Sequence, residues 1–375
     1  MIFKVILAAA VLGSAVYCVL TILAAKSYLS VRPKPSQQPA ISVLKPLSGL
    51  EEHLAENLRS FFEQDYGEYE ILFAVRELDD PALGVLEELR DAYPSLHTRV
   101  IVTGQPPYPN AKVYSLDSMV AAAEYDLLVM SDSDIRVGRD FLRVIAGEFE
   151  DPKTGLVTCP YRAVPSPGVG STLEALGLNT QFLGGVLVAR MLEGMKFALG
   201  PTIAVRRAVL EDVGGFDSLK DFLAEDFVMG NRAAAKGHGV ILSSYVIGHY
   251  IGGHDLRGNL HHRLRWCRST RRSRPAGYFG ELFTMPLPLA LLMLAVAPSW
   301  WPLPVVSIAL RAASAWACAG WVLHDRLTAR LWWMLPLQDV LAFLFWIAGF
   351  FGNTILWRGH RYRLHSDGRF EPIGN

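Results

Sequence analysis

Two carboxylates spaced two positions apart, Asp132 and Asp134, follow a short apolar run at residues 126–130. At the end of a strand, both side chains can reach one divalent cation. Mg²⁺ and Mn²⁺ prefer such oxygen ligands, usually together with phosphate oxygens. The alternative is a polar turn held by side-chain-to-backbone hydrogen bonds, in which aspartate is also common. The pair is therefore a candidate site for Mg²⁺ or Mn²⁺.

Two further acidic pairs stand at predicted helix starts. Asp79 and Asp80 follow the apolar run 69–75 and precede a proline. Asp80 either caps the next helix or, like its neighbour, binds a base or supports a metal. Asp226 is the second carboxylate of a pair that leads into a predicted helix at 227–235. Capping is again the alternative, but an ionised aspartate at a helix start can also serve as a general base.

Basic residues form the third group of candidates. Residues 262–274 are rich in arginine and precede a long apolar region, and they include His262, Arg265 and Trp266. Such a stretch can bind anionic lipid beside a membrane, or Arg265 can bind the phosphates of a diphosphate. Lys112 opens a predicted helix, where it can either reach a phosphate or remain solvated.

Strands and helices must position these side chains, and the sequence alternates short apolar runs with segments of helical periodicity. This alternation predicts a parallel sheet with helices on both faces, an α/β fold in which ligands bind at the carboxyl ends of strands. The polar clusters follow strands or open loops, as such a site requires. Strands are predicted at residues 41–44, 69–75, 98–102 and 126–130, and helices at 51–63, 81–93 and 113–124.

Apolar segments flank this region on both sides. An uncharged run at 5–25 is about 20 residues long, or roughly 30 Å of helix, enough to cross a bilayer. A cleaved signal peptide is the alternative, but the run is long and basic residues follow it. Those basic residues favour a cytoplasmic location for the domain after them. The predicted segments are a membrane anchor at 1–26, a proline-rich linker at 27–40, an α/β domain at 41–280, membrane or interfacial helices at 281–357, and a basic tail at 358–375.

The apolar segments leave two questions open. About three C-terminal spans would place the basic tail outside, whereas its charge favours the inside. Either the final stretch re-enters the membrane or the charge rule fails here. In addition, residues 173–199 carry few charges inside an otherwise soluble domain. They form either a buried core helix or an interfacial segment through which a lipid can enter.

Composition excludes several classes of protein. Its 36 basic and 36 acidic side chains cancel, which argues against nucleic-acid binding driven by bulk charge. The four cysteines lie far apart, so neither a zinc ribbon nor a disulfide framework is predicted. A hydrophobic fraction of 51% with 19% charged residues is typical of a soluble domain joined to membrane segments.

The order of these motifs resembles the family 2-like inverting glycosyltransferases of the GT-A fold. It is more similar to the ceramide glucosyltransferase family and its bacterial relatives, which include hopanoid-associated glycosyltransferases. The resemblance extends over roughly the whole chain. It rests on residues 43–49, 79–82, 110–113, 131–137, 224–227 and 265–266.

The resemblance implies a Rossmann-like, nucleotide-diphospho-sugar transferase domain with one N-terminal and about three C-terminal transmembrane helices. Asp79 or Asp80 would contact the nucleotide, and Lys112 would also belong to the nucleotide-sugar site. Asp132 and Asp134 would hold the metal that bridges the diphosphate, with Asp132 also contacting the donor.

The resemblance also implies a catalytic base, which falls on Asp226. The family's Gln/Arg-x-x-Arg-Trp motif falls on His262, Arg265 and Trp266, with histidine in place of the first residue.

The implied function is inverting transfer of a sugar from a UDP-sugar to a lipid hydroxyl in a cell membrane, most simply from UDP-glucose to ceramide. N-acetylglucosamine transfer to a hopanoid polyol is the nearest alternative. A more remote alternative is a nucleotide-binding transporter that uses Arg311 and Asp339, two charges within apolar stretches, along its pathway.

Overall fold

The computed structural model describes residues 1–32, 38–253, 256–357 and 359–373. Part of the predicted linker, residues 33–37, and residues 358, 374 and 375 of the predicted tail lie outside this description. The strands are β1 (Ile41–Pro46), β2 (Tyr69–Val75), β3 (His97–Val102), β4 (Leu127–Ser131), β5 (Ile135–Arg136), β6 (Thr154–Thr158), β7 (Tyr161–Pro165), β8 (Thr202–Arg206), β9 (Gly239–Leu242), β10 (Ile247–Ile251), β11 (Thr354–Trp357), β12 (His360–Leu364) and β13 (Phe370–Pro372).

The helices alternate with the strands in the first half of the chain and dominate after β10. They are α1 (Ile2–Tyr28), α2 (Leu54–Phe62), α3 (Ala82–Ala92), α4 (Ala111–Ala122), α5 (Phe141–Glu148), α6 (Val169–Gly177), α7 (Leu183–Glu193), α8 (Arg207–Asp212), α9 (Glu225–Ala235), α10 (Leu256–Ser273), α11 (Pro275–Gly280), α12 (Pro286–Val296), α13 (Leu303–Trp316), α14 (Arg326–Leu331) and α15 (Leu335–Gly349). A π-helical turn, Leu178–Phe182, joins α6 to α7, and another, Ala317–Val322, follows α13.

The main sheet has seven strands in the order β3-β2-β1-β4-β8-β6-β9. The four predicted strands are all present, and β1 to β4 run parallel, as the strand–helix alternation indicated. The prediction of a wholly parallel sheet is wrong for the other half, because β8 runs antiparallel to both β4 and β6. The α/β class is confirmed, and the sheet is mixed.

The sheet core is built mainly from apolar strands. β1, β2 and β4 are buried along nearly their whole length, as expected where elements cover both faces of a sheet. A second, three-stranded sheet has the order β5-β10-β7, and its strand β5 follows β4 directly in the chain. A third sheet, β11-β12-β13, is formed by the end of the chain. The segment directly after β4 is therefore bordered by both of the first two sheets.

Among the described residues, four helices are long and apolar enough to cross a membrane: Ile2–Tyr28, Val169–Glu193, Pro298–Val322 and Arg326–Gly349. A fifth candidate is the pair Pro275–Thr284 and Pro286–Val296, which bends by 67° at its break. One candidate is thus N-terminal and, counting the bent pair, three follow residue 274. This distribution agrees with the predicted one N-terminal and about three C-terminal helices.

The helix Val169–Glu193 joins the α/β domain to the anchor. Most of its apolar window, 61%, is buried, and α7 packs against α1. The two helices approach closely at Gly184, where an added Cβ would lie 3.1 Å from Thr21 Cγ2. The predicted apolar segment at 173–199 is therefore largely buried, and part of it is buried against α1, a helix long and apolar enough to cross a membrane.

Helix α1 runs from the α/β domain to the far end of the helical bundle. The Tyr28 hydroxyl, at its C-terminal end, donates to the Ser243 carbonyl of the domain at 2.6 Å. At its N-terminal end, Leu7 and Val11 cluster with Met293 and Ala297, where α12 turns into α13. The turn between α12 and α13 consequently lies at the end of α1 that is remote from the α/β domain.

The C-terminal segment returns to the α/β domain. The Arg271 guanidinium donates to the Gly352 carbonyl at 2.8 Å, directly after α15. In β13, the Phe370 N–H donates to the Asp221 carbonyl at 2.9 Å. The apolar run 331–357 is therefore not one span: its helix ends at Gly349, and the segment after it packs beside the domain.

The last apolar helix, Arg326–Gly349, also starts beside the domain. Asp325, which caps its start, accepts a hydrogen bond from Asn179 at 3.2 Å, and Asn179 Nδ2 also donates to the Ala163 carbonyl of β7. Since both ends of this helix contact the domain or the helices that join it, we expect the tail to lie on the same side of a membrane as the domain. A final stretch that re-enters the membrane, one of the two alternatives that the sequence left open, stays a prediction.

Single-cysteine labelling tests this topology. In a Cys267→Ser background, an impermeant maleimide should label Ser95→Cys and Ser366→Cys from one side of sealed vesicles and Ser299→Cys from the other. All three serines are exposed, and the other three cysteines are buried. Labelling of Ser366→Cys from the same side as Ser299→Cys would contradict the placement of the tail.

Candidate functional site

A small, partly open cavity lies at the carboxyl end of β4, and three of the predicted site residues line it: Lys112, Asp132 and Asp226. Lys112 Nζ lies 2.6 Å from Asp132 Oδ1 and 3.8 Å from Glu225 Oε1, and it donates to the Gly200 carbonyl at 3.3 Å. One ammonium group thus holds together the start of α4, the end of β4 and the start of α9.

The position of Lys112 follows from the cap of its own helix. The Asn110 side chain accepts the Val113 N–H at 3.2 Å and donates to the Phe222 carbonyl and to Glu225. It therefore fixes the start of α4 against the start of α9. Burial alone would lower the pKa of Lys112, but Asp132 and Glu225 raise that pKa above its usual value. Lys112 is a charged, paired group, so the alternative of a solvated lysine does not apply.

The second aspartate of the candidate metal pair has a different partner. Asp134 Oδ2 lies 3.1 Å from His249 Nε2 on β10, whereas its Oδ1 is buried and has no hydrogen-bond partner among the described residues. Burial alone would raise the pKa of Asp134, but His249 and Lys45 lower it below the usual value. An ionised, buried carboxylate oxygen without a partner fits a hard divalent cation.

The paired acids at the start of α9 differ in their surroundings. Glu225 is tied to Asn110 and Lys112, and its burial raises the pKa to about 7 against the opposing effect of Lys112. Asp226 lines the cavity beside Gly200, and burial raises its pKa above the usual value while the backbone N–H groups of Phe227 and Gly200 oppose the rise. Asp226 is therefore placed to act on a ligand, and Glu225 to position its neighbours.

Gly200 limits the space around Asp226. A Cβ at this position would lie 2.8 Å from Asp226 Oδ2, closer than a real contact allows. If Asp226 acts on a ligand here, we expect Gly200→Ala to displace that carboxylate and lower the rate of the reaction at this site about tenfold or more, because displacement of a reacting group by about 1 Å costs up to about 10²-fold. Rates should be compared with those of Gly84→Ala, at a position with open space in α3. Equal rates for both variants would show that the carboxylate position is not critical.

The acidic pair after β2 does not line this cavity. The Asp80 carboxylate accepts the Gly49 N–H at 3.0 and 3.1 Å and the Ala82 N–H at 2.9 Å. Asp80 thus holds the backbone at the first residue of α3, close to the capping role that the sequence offered as an alternative, and it also fixes the loop that follows β1. Asp79 is exposed.

The basic motif lies on α10, outside the residues that line the cavity. His262 Nδ1 lies 2.8 Å from Glu174 Oε1, and the Trp266 ring contacts that of His262 at a centroid distance of 5.5 Å. The Arg265 guanidinium lies 5.9 Å from the centre of the Trp357 ring in β11. The motif therefore connects α10 to α6 and to the C-terminal sheet.

A chain of aromatic contacts joins this motif to the candidate metal pair. The Trp266 ring lies 6.1 Å from that of Phe182, the Phe182 ring lies 5.4 Å from that of Tyr161, and the Tyr161 ring lies 5.2 Å from the His249 imidazole. His249 in turn contacts Asp134. The motif is thus linked to the site through the packing of side chains.

Lys45, at the end of β1, is a site residue that sequence reasoning missed. It is fully buried, donates to the Ser131 hydroxyl and the Asp132 carbonyl, and lies 4.0 Å from the centre of the Phe61 ring. Burial lowers its pKa to about 7, against the effects of Asp132 and Asp134. The available signal was a lysine within an apolar strand, because a lysine is seldom fully buried without a partner.

Glu225 was noted only as the first carboxylate of the pair that ends in Asp226. His249, Gly200 and Tyr161 were missed, for a different reason. Each comes from an element distant in sequence from the acidic pair that it contacts or surrounds. The carboxylates of Glu70 and Glu124 and the imidazole of His97 form a separate cluster, close enough to hold an ion. Arg99 already lies 2.7 Å from Glu70 there, so this cluster is neutralised by a side chain.

The mixed sheet and the acidic cavity at its carboxyl edge define a GT-A glycosyltransferase fold. A mannosyltransferase from Pyrobaculum calidifontis, solved with GDP-Man and Mn²⁺, has this fold: the TM-score is 0.55 at 20% identity, covering 91% of this chain and 96% of that one. The chain belongs to Glycosyl transferase family 21, whose sequence profile matches residues 5–370.

Two curated relatives come from Caenorhabditis elegans. Ceramide glucosyltransferase 1 is 28% identical over 217 residues, covering 57% of this chain and 46% of that protein. Ceramide glucosyltransferase 3 is 24% identical over 346 residues, covering 90% of this chain and 75% of that protein. The chain therefore matches about half the length of the first relative and three quarters of the second.

Proposed function

We propose that this protein is a membrane-anchored inverting glycosyltransferase that moves glucose from UDP-glucose to the hydroxyl group of ceramide or a ceramide-like lipid. The observation that carries this proposal is the cavity in which Asp226 faces the Lys112–Asp132 pair at the carboxyl end of β4. Family membership and the two ceramide glucosyltransferase relatives support the choice of donor and acceptor.

Asp132 and Asp134 would hold Mg²⁺ or Mn²⁺, which, when bound, supplies positive charge to the diphosphate. The buried, unpartnered Asp134 Oδ1 supports this assignment. Lys112 adds a fixed positive charge beside Asp132, where negative charge develops on the leaving group. Lys45 holds the carbonyl of Asp132 and thereby positions the pair.

Asp226 accepts the proton of the acceptor hydroxyl. The hydroxyl oxygen forms a bond to the anomeric carbon while the bond from that carbon to the diphosphate oxygen breaks, and UDP leaves. One displacement inverts the anomeric configuration and needs a single base, without a covalent sugar–enzyme intermediate. Glu225, tied to Asn110 and Lys112, positions the base's helix and the lysine.

The remaining predicted site residues do not line the cavity, and we assign them to the outer part of the donor site. We assign the nucleotide contact to Asp79 and to the loop at Gly49 that Asp80 fixes. His262, Arg265 and Trp266 would complete the donor site from α10, which is connected to Asp134 through the Phe182 and Tyr161 rings. The C-terminal sheet, which contacts both Arg265 and Asp221, would keep α10 in place.

We place the catalytic domain in the cytoplasm and the chain in the cell membrane, because basic residues follow the apolar helix α1. The transporter alternative relied on Arg311 and Asp339 as pathway charges. These two side chains instead pair with each other, with Arg311 Nε 3.0 Å from Asp339 Oδ1. Their pairing removes the observation that favoured transport.

A donor–acceptor screen tests the proposal. Purified full-length protein in detergent would receive UDP-glucose, UDP-galactose or UDP-N-acetylglucosamine, with ceramide or a hopanoid polyol, and Mg²⁺ or Mn²⁺. We expect UDP release that requires UDP-glucose, ceramide and the metal. Turnover of UDP-N-acetylglucosamine with the polyol would assign the hopanoid reaction instead. If the protein binds UDP but releases none from any donor–acceptor pair, both assignments would be contradicted.

A further inference from the structure

A second cavity, small and partly open, lies between α12, α13 and α15, away from the catalytic site. Leu287, Ile308 and Leu335 line it with aliphatic surface, and the half-exposed ring of Trp332 forms one side. The same cavity is lined by Arg311 and Asp339, the ion pair of the apolar helices. It therefore combines a hydrocarbon surface with one charged pair.

The ion pair leaves one acceptor atom without a partner. Arg311 Nε donates to Asp339 Oδ1 at 3.0 Å, but its NH2 group donates to the Thr180 hydroxyl at 2.8 Å instead of to the second carboxylate oxygen. Asp339 is fully buried, and its Oδ2 has no hydrogen-bond partner within the described parts of the chain. A buried charged oxygen without a donor is costly, and most such groups in proteins are satisfied.

The residues that line the cavity indicate which kind of ligand can bind to Asp339 Oδ2. The missing partner is a hydrogen-bond donor, and the surface around it is largely aliphatic. We propose that this cavity binds a lipid whose hydroxyl or amide N–H donates to Asp339 Oδ2, with its chain along Leu287, Ile308 and Leu335. A lipid whose polar group has only acceptors does not meet this requirement.

One helical turn connects this cavity to the catalytic site. In the π-helical turn Leu178–Phe182, Thr180 accepts the hydrogen bond from Arg311, while the Phe182 ring packs on Tyr161 and Trp266. π-Helical turns are frequent at functional sites. A lipid at Asp339 would thus contact the Arg311–Asp339 ion pair. Arg311 is hydrogen-bonded to the turn Leu178–Phe182, and the same turn packs against Trp266 of the predicted site. If the proposed function holds, the acceptor lipid itself has the required donor groups.

The test uses a photoactivatable ceramide in phosphatidylcholine nanodiscs containing the full chain, without any nucleotide sugar. We expect crosslinks to peptides from α13 and α15, and Asp339→Asn should reduce them about tenfold, the equivalent of one hydrogen bond to a charged group. Asparagine retains an oxygen for Arg311 but presents an N–H₂ group in place of the unpartnered oxygen.

A second pair of variants tests the proposal even if Asp339→Asn does not fold. Ala312 lines the cavity, whereas Ala309, on the same helix, is exposed. Ala312→Phe should abolish labelling of these peptides, and Ala309→Phe should leave it unchanged. The proposal would be overturned if the two variants were labelled equally. It would also be overturned if photoactivatable phosphatidylcholine labelled the wild-type protein as strongly as photoactivatable ceramide does.

A photoactivatable diacylglycerol, which has a hydroxyl but no amide, distinguishes the source of the lipid. Preference for ceramide over diacylglycerol would assign the site to the acceptor, and equal labelling would assign it to hydroxyl lipids in general. Both outcomes retain the hydrogen bond to Asp339. Because labelling needs no sugar transfer, its failure is separate from a failure of the proposed reaction.

Discussion

Asp226→Asn is expected to lower the rate of sugar transfer by about 10³-fold, within the range that general-base catalysis contributes. The amide cannot accept the proton of the acceptor hydroxyl, although it occupies the same volume beside Gly200. Because Lys112 and Asp132 remain paired, the affinity for the UDP-sugar should change by less than about twofold. Transfer would be measured as product lipid, and donor affinity by calorimetry.

Glu225→Gln is the matched control for this substitution. Glu225 precedes Asp226 but is held by Asn110 and Lys112. Its amide should retain the hydrogen bond to Asn110 and reduce the rate far less than Asp226→Asn does. A larger loss in Glu225→Gln than in Asp226→Asn would assign the base to Glu225, and loss of donor binding in Asp226→Asn would indicate a ligand role for Asp226.

Asp134→Asn should weaken metal-dependent binding of the donor by at least about 10²-fold, because it removes a charged ligand of the proposed metal site. The buried Oδ1 is the oxygen available for the cation, since Oδ2 already contacts His249. Binding of UDP-glucose would be titrated at several concentrations of Mn²⁺. We expect the dependence on Mn²⁺ to shift to much higher concentration.

Ser133→Ala provides the control within the same loop. Its hydroxyl donates to Glu51 at 2.6 Å, so the substitution changes a neighbouring hydrogen bond and keeps both aspartates. Mn²⁺ dependence should stay within about twofold of the wild type, because no metal ligand is removed. An unchanged Mn²⁺ titration in Asp134→Asn would contradict the assignment of the metal.

The first half of the fold was predictable because strands and helices alternate there. Tyr69–Val75 was predicted at its observed bounds, since a buried parallel strand is one continuous apolar run. The antiparallel strand β8 was not predicted. It comes after a long helical excursion that packs on α1, and strand direction after such an excursion depends on tertiary contacts that local periodicity does not encode.

The candidate site divides in the same way. Asp132, Lys112 and Asp226 were predicted because each follows a strand or opens a helix, and the structure brings them together. His249 and Lys45 were not, because their roles depend on partners 115 and 87 positions away in the chain. Motif spacing thus identified the residues proposed to act on a ligand, but it did not identify the partners, His249 and Lys45, that hold the acidic pair in place.

The C-terminal segment illustrates the limit of composition. Residues after Gly349 continue the apolar run, yet they form β11, and β13 pairs its backbone with Asp221. Hydropathy measures transfer into an apolar environment and cannot separate a membrane from the surface of a neighbouring domain. The hydrogen bonds from α10 to the carbonyls after α15 distinguish the two.

The anomeric configuration of the product tests the central claim most directly. UDP-glucose carries its sugar in the α configuration, and a single displacement assisted by Asp226 must give a β-linked glycolipid. The wild-type protein, with ceramide and Mn²⁺, would supply enough product for proton NMR of the anomeric position. We predict β-linked product alone. An α-linked product would require a different mechanism and would contradict the role assigned to Asp226.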